Sequence, residues 1–534
     1  MNSTETLVDP ATSGQTPTAI DEAAGGHPRR WWVLAVLCLS LFLVVVDNTI
    51  VNVALPTLSA DLNASTTELQ WIVDAYTLVF ASLLLAFGHF GDRFGRRGAL
   101  ALGLILFGAT SALAAFATSA GGLIGVRALM GVGAALVFPA TLAILMNVFT
   151  DKKQRAAAIG IWSGATGMAV AAGPVAGGFL LEHFWWGSVF LVNVPIVVVA
   201  VVAVMFVVPT SKDPDSGRMD WFGLVLSVAS IGLLVWSIIE GPRLGWTSAA
   251  IVAGGLSALA LLALFIWWER RVSHPLLDVG LFSNARFSAA SVTIATAFFG
   301  LFGFIFMITQ YMQLVLGYSP LEAGVRTVPF AVATGICSPL SIALMHRFGS
   351  KLVVFGGLAL MSIGFVMAST LSVDSSYLSN VLPSMVVMAC GLGLTTSPAT
   401  EAIMGALPVD KAGVGSAVND TTRELGGTLG VAIVGSVFAS LYGPQLLEEL
   451  QALGLPSSAT DAATGSMSAA LTVASQAPAE LTAGIVDAAK DAFMIGFTRG
   501  SLVAAGATAL GAIVALCFLP ARARDDLVTE QVAD

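Results

Sequence analysis

Six ionisable side chains standing inside long apolar runs carry most of the chemistry open to this chain: Asp47, Asp74, Arg127, Asp420, Arg423 and Glu424. A charge at bilayer depth is expensive, so each is read first as a site for a proton, an ion or a charged substrate. Asp47 lies well along the first apolar run and Asp74 a few residues inside the second. Antiparallel neighbours would place both in the same half of the membrane, facing one cavity. A carboxylate there can hold a lipophilic cation or a proton, one at a time. The plainer alternatives are a helix-orienting hydrogen bond of Asp47 near Asn48 or Asn52, and a solvated helix-end acid at Asp74. Asp420, Arg423 and Glu424 are spaced by three and four, which puts them on one helix face. Counted from Lys411 at 1.5 Å per residue, Asp420 lies about 14 Å deep and Glu424 about 20 Å. Arg423 is expected to neutralise one acid and leave the other to titrate. Asp420 is the first candidate for proton coupling or cation binding and Glu424 the second; a structural ion triplet is the alternative. Arg127 is expected to meet a carboxylate or a backbone carbonyl, or else to snorkel to the interface.

Such residues need a membrane-spanning frame, and composition supplies it. Of 534 residues, 56% are apolar and only 11% charged, with mean hydropathy +0.86. A soluble chain carries about 25% charged residues, so this one could not cover a soluble surface. Fourteen apolar runs are long enough to span a bilayer: 31–55, 69–89, 98–118, 122–149, 153–181, 184–209, 219–240, 247–268, 288–314, 321–345, 351–372, 378–406, 411–442 and 492–519. An all-α polytopic fold follows. A porin-like barrel, with polarity alternating over strands of about ten residues, is excluded. Of the 24 Lys and Arg, 18 fall on the side of the two tails, 3 on the other side and 3 within spans. By the positive-inside rule both termini are cytoplasmic. Residues 443–491 break the run of short connections, and are either a solvated spacer or a folded lid on the outside, with short amphipathic helices near 445–453 and 480–490.

Other chemistries find little support. No C-x-x-C occurs, and Cys38, Cys337, Cys390 and Cys517 each lie in an apolar run as small hydrophobes. The five histidines are scattered without metal-ligand spacing, and no phosphate-binding G-x-x-x-x-G-K-[ST] is present. An acidic net charge of −9 without a basic patch argues against nucleic acid. The polar stretch 1–28 does not read as a signal peptide. An enzyme is therefore not expected, nor a cofactor.

An internal repeat appears in two loops. Gly88-His89-Phe90-Gly91-Asp92-Arg93-Phe94-Gly95-Arg96-Arg97 shares Arg-Phe-Gly with His346-Arg347-Phe348-Gly349-Ser350-Lys351, at an offset of 254 residues. Duplicated helix bundles mark a transporter with a midplane site. The chain resembles the major facilitator superfamily, in particular its fourteen-helix drug:proton antiporters. Residues 88–97 match the superfamily's G-x-x-x-D-R-x-G-R-[KR] loop, and Leu123–Ala135 with Arg127, Gly131 and Gly133 its fourth-helix motif. Gly164, Gly167, Gly173, Pro174, Gly177 and Gly178 match the fifth-helix antiporter motif. Asp47–Pro56 and Phe190–Pro195 match the first- and sixth-helix motifs of the fourteen-helix branch. Within it, Trp71–Tyr76, the stretch 186–193 and Leu276–Val279 are similar to the quaternary-ammonium exporters.

The resemblance implies two six-helix bundles, 31–209 and 288–519, with two additional helices and linker at 210–287, the 443–491 loop outside, and cytoplasmic tails 1–30 and 520–534. It implies proton-driven efflux of lipophilic, mainly cationic compounds by alternating access, in a bacterial plasma membrane. The partners would be the lipid bilayer, protons and the cargo; a monomer is expected. The runner-up is a dedicated exporter of one metabolite, antibiotic or lipid; a receptor or scaffold is a distant third. The resemblance ties Arg127 to proton transfer and casts Asp92 with Arg93, Arg96 and Arg97 as an ion-pair latch for one access state. The fifth-span glycines admit a close helix neighbour, and Gly173 and Pro174 a bendable, sealing contact. The quaternary-ammonium exporters carry an acid shortly after the position of Pro329, where this chain has Phe330–Gly335 without one, which argues against a strong preference for divalent cations and leaves monovalent ones open. Aromatic, Met and Gln side chains of the ninth span, Phe299, Phe302, Phe304, Phe306, Met307, Gln310, Tyr311 and Gln313, are candidate pocket lining, with Phe306, Met307, Gln310 and Tyr311 first.

Overall fold

The computed structural model describes residues 27–212, 219–407 and 412–520. The tails 1–26 and 521–534, part of the linker at 213–218, and Lys411 lie outside the described residues. Fourteen described helices are long and apolar enough to cross a membrane, and the described residues contain no strand. In chain order they are α1 (Arg30–Leu62), α2 (Thr66–Phe94), α3 (Arg96–Ala115), α4 (Ala120–Val148), α5 (Lys152–His183), α6 (Ser188–Val207), α7 (Trp221–Leu244), α8 (Ala249–Glu269), α9 (Ala285–Val315), α10 (Pro320–Phe348), α11 (Ser350–Ser369), α12 (Tyr377–Met404), α13 (Ala412–Ala452) and, after two short helices, α16 (Ala479–Phe518). Helices α1–α6 pack on one another, as do α9–α13 with α16, while α7 and α8 pair beside them.

The duplication is deeper than one tripeptide. Helices α2 and α10 each run 29 residues, and their bounds are offset by the same 254 positions. Ser65 and Ser319 accept from the backbone N–H of Glu68 and Glu322, whose carboxylates accept in return from the cap residues' N–H groups. These reciprocal caps satisfy backbone donors that a membrane helix start would otherwise leave bare. At the far ends, Gly95 (φ +119°) and Gly349 (φ +84°) turn the chain into the next helix. Left-handed φ explains why glycine occupies both corners.

The two halves touch chiefly at one end. We call the end bearing Arg30, Phe94 and Phe348 the basic end. Near the opposite end α5 lies against α1 and α10: a Cβ on Gly177 would stand 2.6 Å from the Ile50 side chain, and one on Gly178 2.5 Å from the Pro320 carbonyl oxygen. Gly173 faces Thr49 in the same way, and Gly324 of α10 faces the backbone of Pro174. The close approach predicted for these glycines is present. It does not extend to Gly164 and Gly167, which have nothing within 4 Å of a would-be Cβ, nor does Gly335 on α10. The helices diverge there, and the space between the halves opens toward the basic end.

A second seam runs between α2 and α13. The Gln70 amide donates to the Ala432 carbonyl (3.1 Å), and the Thr77 and Thr428 hydroxyls meet at 3.1 Å. Helix α7 lies along this seam and holds both sides. Trp71 Nε1 donates to Glu240 (3.1 Å), and Ser436 donates to the Ile238 carbonyl (2.8 Å).

The 443–491 segment is folded. Its first and last parts, read as separate amphipathic helices, prolong α13 and α16, and between them stand α14 (Ser457–Thr464) and α15 (Met467–Gln476). This cap binds the tips of α1 and α2: Thr66 N–H donates to the Gly465 carbonyl (2.9 Å), Ser59 meets Ser466 (2.9 Å), and Ser468 donates to the Pro56 carbonyl (3.2 Å).

Replacing Gly178 by Val should force α5 from α10, since overpacking of this kind costs about 1–3 kcal/mol. Maleimide labelling of a Thr327→Cys reporter, which sits just below the seal, is expected to rise several-fold from the opposite end.

Candidate functional site

Asp47 and Arg127 form the tightest polar contact in the molecule's first half. Arg127 Nη1 donates to Asp47 Oδ2, and both side chains are wholly buried. Arg127 Nε donates to the Ile72 carbonyl (3.1 Å), and its guanidinium lies over the Tyr76 ring at 4.3 Å. Asn193 donates to the other Asp47 oxygen (2.9 Å) and to Ser111 (3.0 Å). Arg127 thus meets both a carboxylate and a carbonyl and does not snorkel. Asp47 is held by groups from α4 and α6, not by Asn48 or Asn52.

Asp47 and Asp74 do not share a cavity. Helical rotation separates them: Tyr76 turns inward to donate to the Val44 carbonyl (3.2 Å), while Gln70, Asp74 and Thr77 lie on the face toward α13. Asp74 is fully buried, unlike a solvated helix-end acid; one oxygen accepts a long bond from Thr77 (3.5 Å) and the other has no partner.

Farther along the seam stand Asp420, Arg423 and Glu424, each half-buried. The expected neutralisation by Arg423 is absent among the described residues, where no ion pair within 4 Å joins the three. Arg423 instead donates to Thr400 (3.1 Å) and lies over the Phe298 ring at 5.3 Å. Asp420 accepts from the Asn419 amide (3.3 Å), and one Glu424 oxygen is buried without a partner. Asp74, the Thr77–Thr428 contact, Glu424, Arg423 and Asp420 therefore form a polar column along α2 and α13 toward the basic end.

A small, mostly apolar cavity lies between the halves, just below the α5–α10 seal. It is walled by Thr49 and Asn52 of α1, Val170 and Pro174 of α5, Phe304, Ile305, Ile308 and Thr309 of α9, Thr327, Phe330 and Ala331 of α10, and Met385 of α12. Its lining carries no ionisable side chain. Phe306, Met307, Gln310 and Tyr311, expected to line a pocket, face away. Phe306 and Tyr311 are fully buried in the second half; Gln310 donates to its own helix at Phe306 (2.7 Å), and Tyr311 donates to the Ser372 carbonyl (2.7 Å). The ninth span does border the cavity, but with the face two positions, about half a turn, away from these four. Pro174, expected in the seal, borders both seal and cavity.

At the basic end, Asp92 pairs with Arg96 at 2.7 Å across the α2–α3 corner. Arg96 also reaches the Ala143 carbonyl (3.5 Å), and Arg97 the Val208 carbonyl (3.4 Å). Arg93 lies over the Phe94 ring at 5.5 Å. Among the described residues these contacts all stay within the first half, where Asp92 with Arg96 ties together α2, α3 and α4.

Removing one partner of a buried pair costs about 3–5 kcal/mol. Arg127→Ala should accordingly lower the melting temperature of the detergent-solubilised protein markedly, and Arg127→Gln with Asp47→Asn should recover most of the loss. Thermal unfolding monitored by intrinsic fluorescence tests this.

The Major Facilitator Superfamily model matches residues 37–243 and 214–431. The chain is 38% identical over 491 residues to the multidrug efflux pump LfrA of Mycolicibacterium smegmatis, covering 92% of this chain and 96% of that protein. It is 36% identical over 501 residues to the methyl viologen resistance protein SmvA of Salmonella typhimurium, covering 93% and 99%. Among solved structures, an inward-facing, unoccupied bacterial homologue of the human lysosomal transporter Spinster superposes with a TM-score of 0.63 at 18% identity, covering 92% of this chain and 98% of that one. With fourteen spans and a cavity between two related halves, the chain belongs to the Major Facilitator Superfamily: it is a multi-pass membrane transporter of small substrates and not an enzyme.

Proposed function

We propose that the protein exports lipophilic, mainly cationic drugs from a bacterial cell in exchange for protons, driven by the proton gradient and needing no cofactor. The observation that carries this reading is the pair of partnerless carboxylate oxygens, Asp74 and Glu424, on the polar column between the halves. A carboxylate without a fixed counter-ion can be neutralised by a proton or by a cationic cargo, which is the exchange an antiporter requires. Efflux itself is supported by the similarity to LfrA and SmvA, proteins named for multidrug efflux and methyl viologen resistance.

In this reading the basic end is cytoplasmic, in keeping with the distribution of Lys and Arg. Cargo enters the open mouth past Asp420 and Glu424 and settles against Phe304, Phe330 and Met385. Rings and a thioether accept varied apolar shapes. The halves then rock, closing the basic end and parting the α5–α10 and α2–α13 seams. Arg127 would act in coupling by holding Asp47 while the halves move, and Asp92 with Arg96 by keeping the α2–α3 corner rigid as the mouth closes. The protein works as a monomer, since each chain contains both halves.

The runner-up, a dedicated exporter of one neutral metabolite, antibiotic or lipid, draws on the cavity wall, whose polar members Thr49, Asn52, Thr309 and Thr327 are all uncharged. Liposomes with an imposed pH gradient separate the two. Ethidium or a quaternary ammonium should discharge the gradient, and Glu424→Gln should abolish that flux while leaving the protein folded. Discharge by a neutral hydrophobic drug alone would instead select the dedicated exporter. Phe330→Ala should raise the apparent Kd for ethidium about tenfold, the equivalent of ~1.4 kcal/mol, measured by fluorescence titration.

A further inference from the structure

We propose that Cys337 of α10 and Cys390 of α12 form a dithiol site for trivalent arsenic compounds, set in the wall of the second half beside the cavity. Fifty-three positions separate the two cysteines in sequence, and nothing in their spacing suggests a pair. The packing brings them together. Thr334 donates across to the Ala389 carbonyl (3.3 Å), and the Ser338 and Ser397 hydroxyls meet at 2.9 Å. Between these contacts a Cβ on Gly393 would stand 2.8 Å from Cys337 Cβ, so the helices are in near-backbone contact at this level. Cys390 stands within one turn of Gly393, between it and the Thr334–Ala389 contact, which makes the side chains of Cys337 and Cys390 near neighbours. Both are half-buried and neither is in a disulfide.

The ligand class follows from the donor count. Thiolates prefer soft centres. Two of them do not complete the four-coordinate shell of a structural zinc, and no described cluster of three or more His, Cys, Asp or Glu is arranged for a metal. A monosubstituted arsenic(III) needs two further ligands, which is what this pair offers. With an arylarsine oxide, each thiol passes its proton to the arsenic-bound oxygen, two As–S bonds form and the oxygen leaves as water. Arsenic stays trivalent, so no oxidant or reductant is required. At 1.5 Å per residue, Cys337 lies about 9 Å along α10 from Ala331, and Cys390 about 8 Å along α12 from Met385. Both of those residues line the cavity. The bound arsenical would therefore tie a mobile-seam helix, α10, to its neighbour α12 close to the cargo site.

The test uses the full chain in detergent micelles, with phenylarsine oxide and intact-mass spectrometry. One phenylarsine per chain is expected, removed by 2,3-dimercaptopropanol, absent from Cys337→Ser and from Cys390→Ser, and retained when Cys38 and Cys517 are both changed to Ser. Binding should also block maleimide at both cysteines together. An adduct that persists in Cys337→Ser, or no adduct on wild-type protein that elutes as a folded monodisperse peak, overturns the proposal. Neither outcome depends on what the transporter carries.

Discussion

One arginine organises the first half. Arg127 of α4 binds the carboxylate of α1 and a carbonyl of α2, and that carboxylate is bound in turn by Asn193 of α6. Four helices thus converge on a single buried charge pair, where in lipid every polar group must find its partner within the protein. Burial of two ions is recovered only when geometry and extra hydrogen bonds are good, and here Asn193 and the Ile72 carbonyl supply them. The first half is consequently stiff about Asp47. Among the described residues no ion pair crosses the seams between the halves.

The seams rely on absent side chains. Gly173, Gly177 and Gly178 on α5 and Gly324 on α10 let backbones meet where lipid gives no hydrophobic drive for helix association. Along α2 and α13 the contact is polar instead, and it is there that carboxylates stand unpaired. Close packing and titratable chemistry are assigned to different seams of one interface. Helix α7, an addition to the duplicated plan, lies on the titratable one and is bonded to both sides of it.

Much of this was legible in the sequence. Span number follows from apolar run length alone, and the glycine run on α5 pointed to a close neighbour because removing Cβ atoms has few other uses in a membrane helix. Arg127 could be foreseen to need a carboxylate or a carbonyl. What sequence could not give is rotation. Asp47 and Asp74 belong to the same half of neighbouring helices, yet a turn of the helix sends one to Arg127 and the other to α13. The same uncertainty put Phe306, Met307, Gln310 and Tyr311 first for the pocket, where Phe304 of the candidate group borders it together with Ile305, Ile308 and Thr309. The capping boxes at Ser65 and Ser319 were readable and would have strengthened the repeat. Thr400, which draws Arg423 away from its acids, left no signal, because a lone threonine in an apolar run is ordinary.

The cap of α14 and α15 grows from the second half but is stitched to the tips of the first. Its junction, Gly465, Ser466 and Ser468 against Pro56, Ser59 and Thr66, is a shape that exists only while the halves meet at that end. An antibody fragment recognising both sides of this junction would read conformation as an epitope. In the proposed cycle, holding the stitch closed would arrest transport without entering the cargo path.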